Sequence, residues 1–214
     1  MTGGVDFELR PAAGEPAGAL VLMHGRGTSE RDLLPLLDVF DPQRRLAGLA
    51  PGGPLSLPPG GKHWYAVRRV GYPDPATFMP TFELLSAWLD DQLAQLGVPI
   101  ERAIIGGFSQ GAVMSYALGL GPGRPAPAGI LALSAFMPSV EGFELTLEDR
   151  MGFPVAIGHG TNDEIISVQF GRDAAKRLTA AGADVLYRES PVTHTLDPRE
   201  LPTFADWVQR RVPV

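Results

Sequence analysis

The sequence predicts an α/β fold with a mostly parallel central sheet of about seven strands flanked by helices. Two observations lead to this prediction. Short apolar runs alternate along the chain with segments in which apolar residues recur at helical spacing. Several of these runs, such as 19–23, are continuously apolar, which is typical of strands that are buried on both faces. We therefore expect helices on both sides of the sheet.

The first elements follow from local patterns. Residues 5–9 alternate between apolar and polar side chains, which predicts an edge strand, and 45–50 has a weaker strand pattern. Between the predicted strands 19–23 and 45–50, residues 30–40 are expected to form a helix with Ser29 as its N-cap.

A long segment rich in glycine and proline follows the third predicted strand. Residues 51–75 are therefore expected to be largely loop. The next segment, 78–96, is a predicted helix that ends at Gly97. Its apolar residues recur at the spacing of one helical face: Phe82, Leu85, Trp88, Leu89, Leu93 and Leu96.

The second half of the chain repeats the alternation of strands and helices. Residues 139–153 are the exception, and we expect them to be irregular or partly helical. The predicted strands are 103–105, 129–134, 154–158 and 184–188, and the predicted helices are 112–118, 167–181 and 199–211.

Composition limits the class of protein. The chain has 214 residues, of which 44% are hydrophobic, so we expect residues 1–214 to form one domain. A net charge of −6 argues against a nucleic-acid partner, which needs a basic face. The absence of cysteine excludes disulfides and thiolate catalysis. No signal peptide or membrane-spanning run is visible, so we expect a cytoplasmic protein without a stable membrane anchor.

The most informative motif is Gly107-Phe108-Ser109-Gln110-Gly111. It follows an apolar run and opens a segment with a helical pattern, so Ser109 is expected at the sharp turn between a strand and a helix. Flanking glycines allow the close approach that this turn requires. The sequence therefore predicts Ser109 as an activated nucleophile, the alternative being an ordinary serine in a glycine-rich turn.

A serine nucleophile needs a histidine to accept its proton and an acid to orient that histidine. In hydrolases with this turn the chain order is serine, acid, histidine. Only His159 and His194 follow Ser109. His194 lies in the loop after the last predicted strand and is the expected base, whereas His159 ends a strand and is expected to be tied to its loop. Asp163 is the predicted acid, with Glu164 as its nearest rival.

The predicted oxyanion hole uses two backbone N–H groups. One comes from Gln110, directly after the nucleophile, and the other from Arg26 in the loop after an early strand. His24, in the same loop, is expected to stabilise the loop itself. The Arg26 side chain is either a contact for an anionic substrate or a solvated cation.

Three residues are candidate walls of the substrate site. Trp64 lies within the cluster His63-Trp64-Tyr65 in the segment rich in glycine and proline, and Phe136 and Met137 follow a predicted strand. For each of them the alternative is an aromatic or apolar anchor that fixes its loop to the core. We expect neither a metal nor a cofactor, because the four histidines are scattered and no His-x-x-x-His pattern occurs.

Four segments together resemble the phospholipase/carboxylesterase branch of the α/β-hydrolases, which includes acyl-protein thioesterases and small bacterial carboxylesterases. They are residues 22–27, 107–111 and 159–164, and His194 ahead of 198–201. The resemblance covers nearly the whole chain. It implies the α/β-hydrolase fold without a separate lid domain, a triad of Ser109, Asp163 and His194, and hydrolysis of carboxylic esters or thioesters.

The leading functional hypothesis is a serine carboxylesterase that acts on short- to medium-chain esters through an acyl-enzyme intermediate. A thioesterase or lysophospholipase is an alternative that uses the same machinery. A second alternative is a non-catalytic small-molecule receptor, because a fold alone does not fix a function. The expected partner is a small-molecule ester, and the expected assembly is a monomer or a weak homodimer.

Overall fold

The computed structural model describes residues 4–148 and 150–212. In chain order its elements are β1 (Phe7–Arg10), β2 (Gly18–Met23), α1 (Leu34–Phe40), β3 (Leu46–Pro51), β4 (Leu55–Leu57), β5 (Gly61–His63), β6 (Val67–Arg69), β7 (Tyr72–Pro73), α2 (Pro75–Leu96), a 3₁₀ turn at Ile100–Arg102, β8 (Ala103–Phe108), α3 (Gln110–Leu120), β9 (Gly129–Leu133), β10 (Pro154–Gly160), α4 (Val168–Ala180), β11 (Asp184–Ser190) and α5 (Leu201–Arg211).

Seven of these strands form the central sheet, in the order β1-β3-β2-β8-β9-β10-β11. Every neighbouring pair is parallel except β1 and β3, which are antiparallel. The predicted fold, including the edge position of the first strand, is therefore confirmed. The carboxyl ends of the six parallel strands meet at one edge of the sheet, where ligands bind in folds of this class.

Helices cover the sheet on both faces. Helices α2, α3 and α4 contribute Phe78, Val113 and Leu178 to one core cluster. Helices α1 and α5 pack against the opposite face, where Leu37 and Phe204 belong to a second cluster. A sheet buried on both faces explains why its central strands are continuously apolar.

Helix α1 begins later than its sequence pattern suggests. It starts at Leu34, and Ser29 is not its N-cap, since the helix has no side-chain cap. Pro35 accounts for the difference. A proline has no N–H and is favoured in the first turn of a helix, where that N–H would have no partner, which agrees with a helix that begins directly before Pro35. Glu30, which was expected in the helix, instead forms an ion pair with Lys62, with 2.8 Å between Oε2 and Nζ.

The segment rich in glycine and proline is more regular than expected. It contains two short antiparallel hairpins, β4–β5 and β6–β7. Thr28 forms an isolated antiparallel bridge with Lys62, which attaches the first hairpin to the loop after β2. This segment therefore lies at the carboxyl edge of the sheet, beside the loop after β2 that carries Arg26.

Candidate active site

Ser109 occupies the sharp turn between β8 and α3. Its backbone angles are φ 55° and ψ −120°, a conformation that residues other than glycine rarely adopt. The Ser109 N–H donates to the carbonyl of Leu133 on the neighbouring strand at 2.9 Å, which helps to hold the turn. A strained backbone at this position is typical of a functional site.

The two glycines that flank Ser109 lie against the end of β2. A Cβ on Gly107 would lie 2.5 Å from the Met23 carbonyl oxygen. A Cβ on Gly111 would overlap the backbone of Met23 and that of His24. The turn therefore has no room for any side chain at these two positions, as the sequence motif predicted.

His194 links Ser109 to Asp163. Its Nε2 lies 2.9 Å from Ser109 Oγ, and its Nδ1 lies 2.6 Å from Asp163 Oδ2. With the ring proton on Nδ1, His194 donates to the carboxylate and its Nε2 accepts from the Ser109 hydroxyl. This is the arrangement that a triad needs to withdraw the serine proton.

Asp163 is held by its own loop. Its Oδ1 accepts the backbone N–H groups of Ile165 at 2.9 Å and Ile166 at 2.8 Å, which leaves Oδ2 for His194. Glu164, the rival acid, is exposed to solvent. The structure therefore brings Asp163 and not Glu164 to His194.

His159 is buried at the end of β10, where its Nε2 lies 2.8 Å from the Ile166 carbonyl. Burial lowers the pKa of His159 below its ordinary value, so the neutral ring donates Nε2–H to this carbonyl. The structure places His159 against the loop that carries Asp163, to which its ring is bonded, in agreement with its expected role.

The two predicted oxyanion donors lie at the site. Gln110 is the first residue of α3, and Arg26 lies in the loop after β2. Within residues 4–148 and 150–212, neither backbone N–H donates to another backbone or side-chain group. Both residues line the cleft that opens above Ser109, so their free N–H groups are available to a developing oxyanion.

His24 stabilises the loop that carries Arg26. Its Nε2 accepts the N–H of Gly53 at 2.9 Å, so its Nδ1 carries the proton and donates to the Gly25 carbonyl at 2.7 Å. Burial lowers the pKa of His24, which keeps the ring neutral. The side chain thus has the expected supporting role.

The cleft above Ser109 has a volume of about 390 Å³ and walls that are mostly apolar. Sequence reasoning missed four of its ten lining residues. Ile165 and Ile166 directly follow the predicted acid, which is a usable signal, whereas Val67 and Val70 depend on an unrecognised hairpin and its neighbours. Tyr65 belongs to the cluster His63-Trp64-Tyr65, which was a candidate wall. The residues that line the cleft are Arg26, Tyr65, Val67, Val70, Ser109, Gln110, Phe136, Ile165, Ile166 and His194.

Two of the three predicted wall residues lie elsewhere. Trp64 has no exposed surface, and its indole N–H donates to the His24 carbonyl at 2.8 Å, so it anchors the segment to the core. Met137 lines a neighbouring groove with Tyr72 and Phe170. The wall role expected of Trp64 and Met137 is therefore wrong, whereas Phe136 does line the cleft.

Comparison with known proteins defines the class. The family described as Phospholipase/Carboxylesterase matches residues 6–211. The chain belongs to this family and is a serine hydrolase with the α/β-hydrolase fold, as its sequence motifs predicted.

Particular relatives include two fungal proteins named acyl-protein thioesterase 1. The one from Cryptococcus neoformans var. neoformans serotype D is 26% identical, over 88% of this chain and 90% of its own. The one from Candida albicans is 30% identical, over 80% of this chain and 82% of its own. The chain is thus a hydrolase of the carboxylesterase and acyl-protein thioesterase family.

Solved structures show the same fold. The carboxylesterase of Bacillus cereus superimposes with a TM-score of 0.85 and 23% identity, covering 98% of this chain and 96% of the other. A carboxylesterase from Mesorhizobium loti gives a TM-score of 0.83 and 21% identity, covering 97% and 96%. Among the residues that the structure describes, no helix is both long and apolar enough to cross a bilayer.

Proposed function

We propose that this protein is a carboxylesterase that hydrolyses short- to medium-chain carboxylic esters through an acyl-enzyme intermediate. One observation carries the proposal. A continuous line of hydrogen bonds joins Ser109, His194 and Asp163, and Ser109 opens into an apolar cleft. In this proposal Ser109 is the nucleophile, His194 the general base and acid, and Asp163 the residue that orients His194.

Acylation begins when Ser109 Oγ attacks the carbonyl carbon of the ester. The hydroxyl proton passes to Nε2 of His194 as the new C–O bond forms, and the carbonyl π electrons move onto the carbonyl oxygen. Asp163 stabilises the imidazolium across the 2.6 Å bond to Nδ1. The backbone N–H groups of Arg26 and Gln110 donate to the oxyanion.

Collapse of this tetrahedral intermediate expels the alcohol. The departing oxygen takes the proton from His194 Nε2, which leaves an acyl ester on Ser109 and a neutral imidazole. Water then attacks the acyl carbon with His194 as the base, and Ser109 is the leaving group that recovers its proton. The products are a carboxylic acid and the free enzyme.

The cleft supports a limit on the size of the acyl group. Its apolar walls offer burial to hydrocarbon, and each buried methylene contributes about 0.8 kcal/mol. A volume of about 390 Å³ lies at the lower end of the range for ligand pockets. We therefore expect kcat/KM to rise with acyl length and to level off once further methylenes project into water.

The test combines labelling with turnover. A fluorophosphonate is expected to modify Ser109 alone, as read by intact mass and peptide mapping, and p-nitrophenyl esters of increasing acyl length are expected to be hydrolysed with a maximum at short to medium chains. A continuous rise to long chains would contradict the size limit. Ligand binding without labelling or turnover would instead support a small-molecule receptor.

A thioesterase activity is the second candidate, favoured by the names of the fungal relatives. The same nucleophile and oxyanion donors act on a thioester, whose leaving group is a thiol. Matched oxyesters and thioesters of one acyl group separate the two candidates, because only the leaving group differs. A thioester kcat/KM that exceeds that of the oxyester by more than about tenfold would assign thioesters as the preferred substrates.

A further inference from the structure

The two halves of the oxyanion hole are joined by residues 62–65, which we call the bridging segment. One donor, the Arg26 N–H, belongs to the loop 24–28, which we call the oxyanion loop. The other, the Gln110 N–H, belongs to α3. Adjacent strands β2 and β8 set the approximate distance between the two donors, since Met23 and Gly107 are partners in the sheet. Beyond the strand ends, hydrogen bonds must fix the loop.

The bridging segment is attached to the oxyanion loop by two backbone bonds and one side-chain bond. The indole of Trp64, which has no exposed surface, makes the side-chain bond. The three bonds run from Gly27 N–H to the Lys62 carbonyl (2.8 Å), from Lys62 N–H to the Thr28 carbonyl (2.7 Å) and from Trp64 Nε1–H to the His24 carbonyl (2.8 Å).

The same segment is attached to the start of α3 by the side chain of Gln110. Its Oε1 accepts the Trp64 N–H at 3.1 Å, and its Nε2 donates to the Tyr65 carbonyl at 3.0 Å. Gln110 is 5% exposed, so both bonds lie in the interior. An amide accepts and donates within one planar group, which suits this pair of backbone groups.

We propose that Gln110 and Trp64 are positioning residues that set the separation of the two oxyanion donors. Gln110 supplies one donor from its backbone and, through its side chain, holds the segment that grips the loop of the other. Trp64 completes the connection through its indole N–H. This inference rests on the proposed hydrolytic function of Ser109. It goes beyond that function by assigning side chains that touch no substrate to stabilisation of the transition state.

The expected effect follows from the strictness of oxyanion geometry. Hydrogen-bond donors act on the position that the oxyanion occupies, and a displacement of about 1 Å at a catalytic group is able to cost roughly 100-fold in rate. Ground-state binding in the apolar cleft does not depend on that alignment. Loss of the connection should therefore lower kcat and leave KM nearly unchanged.

The test compares Gln110→Met with Thr81→Val. Gln110→Met removes both side-chain bonds, keeps a similar length and retains the backbone N–H. Thr81→Val is the matched control, because the Thr81 hydroxyl donates to the Trp64 carbonyl at 2.8 Å and its loss weakens the same segment without separating the two donors. For each variant, kcat, KM, the melting temperature and the Ki of a trifluoromethyl ketone are measured. This ketone forms a tetrahedral adduct on the serine.

For Gln110→Met we expect kcat to fall about 10- to 100-fold, KM to stay within about threefold, and the ketone Ki to rise in parallel with the loss of kcat. Thr81→Val is expected to keep kcat within about threefold of the wild-type value. We expect this even if its melting temperature falls by as much as that of Gln110→Met. Equal losses of kcat in both variants, or an unchanged Ki in Gln110→Met, would overturn the proposal.

If Gln110→Met does not fold, Trp64→Phe gives the same decision, since it removes only the indole N–H and part of the ring. A kcat loss of about three- to tenfold with a parallel rise in Ki supports the proposal, and an unchanged Ki overturns it. Failure of the proposed function is recognised separately. In that case the wild-type protein neither turns over esters nor reacts with a fluorophosphonate.

Discussion

His159 Nε2 lies 3.6 Å from Asp163 Oδ2, yet the two side chains are not an ion pair. The neutral His159 ring donates to the Ile166 carbonyl at 2.8 Å, because burial holds its pKa below the ordinary value. Asp163 Oδ2 instead makes its short bond with His194, at 2.6 Å. One carboxylate thus faces two histidines, and the hydrogen bond to Ile166 determines which of them it orients.

The two histidines should respond differently to substitution. His194→Ala is expected to lower kcat/KM by about 1,000-fold or more, because it removes the proton acceptor of Ser109. His159→Gln, which retains a hydrogen-bond donor, is expected to keep at least about a tenth of the wild-type kcat/KM. Steady-state hydrolysis of p-nitrophenyl acetate measures both. Losses of the reverse order would show that the base is His159.

Buried neutral histidines predict a loss of stability in mild acid. In the folded protein His24 and His159 have lowered pKa values, whereas in the unfolded chain a histidine titrates near about 6.5. Between these pKa values the unfolded chain binds more protons. The free energy of unfolding therefore falls as the pH drops below about 6.5, by up to ~1.4 kcal/mol per pH unit for each histidine, until the folded pKa is reached.

Urea unfolding between about pH 7 and about pH 5 measures this dependence. Since carboxylates contribute to the same trend, the decisive comparison is with His159→Gln, whose stability should fall less steeply over that interval. An equal dependence of stability on pH in both proteins would mean that the pKa of His159 is not lowered in the folded state.

A buried ion pair between Arg10 and Asp41 should dominate the stability of the β1 edge. The two side chains meet at 2.7 Å and are 8% and 3% exposed. Arg10→Met leaves the Asp41 carboxylate buried without its partner and is expected to cost about 3–5 kcal/mol of unfolding free energy. Chemical denaturation measures the loss, and kcat of the folded variant should be unchanged.

Two controls accompany this prediction. Arg10→Met combined with Asp41→Asn should recover part of the loss, because no uncompensated charge remains. Arg31→Met, which removes the exposed partner of Glu8, should change stability little. Equal losses from Arg31→Met and Arg10→Met would contradict a special role for burial.

The rim of the cleft offers a prediction about acyl length. Ile165 is 62% exposed and lines the cleft, so a long acyl group would cover it. Ile165→Ala keeps the backbone N–H that holds Asp163. It should therefore reduce kcat/KM about three- to tenfold for the longest accepted acyl group and little for acetate.

Met151→Ala is the matched control, because Met151 is 83% exposed and lies outside the cleft. An ester series with both variants tests the prediction. A uniform decrease across all chain lengths in Ile165→Ala would show that this residue acts on the loop that holds Asp163 instead of on the acyl group.

Much of the fold followed from local sequence signals. Parallel strands buried on both faces are continuously apolar, so their positions were visible, and Gly107 and Gly111 marked the turn at Ser109. The late start of α1 was also indicated by the sequence, since Pro35 is favoured in the first turn of a helix. That signal was outweighed by the apolar periodicity of the surrounding residues.

The cleft was harder to predict, because its walls depend on contacts between distant segments. Trp64 satisfies an aromatic-wall pattern in sequence, but its indole is bonded to His24, 40 positions earlier in the chain. The lining residue Val67 belongs to a two-stranded hairpin with short strands and a shifted register. Composition of the 51–75 segment therefore indicated loop, whereas long-range hydrogen bonds gave it structure.

The distance along the chain between Ser109 and its base has a consequence during synthesis. His194 follows Ser109 by 85 positions, so a growing chain that already contains the nucleophile has no proton acceptor for it. At a translation rate of about 5–20 residues per second, roughly 4–17 s separate the two residues. In the proposed mechanism the nascent polypeptide is unable to hydrolyse esters throughout that interval, and we expect activity to arise only when the segment beyond the last strand has docked.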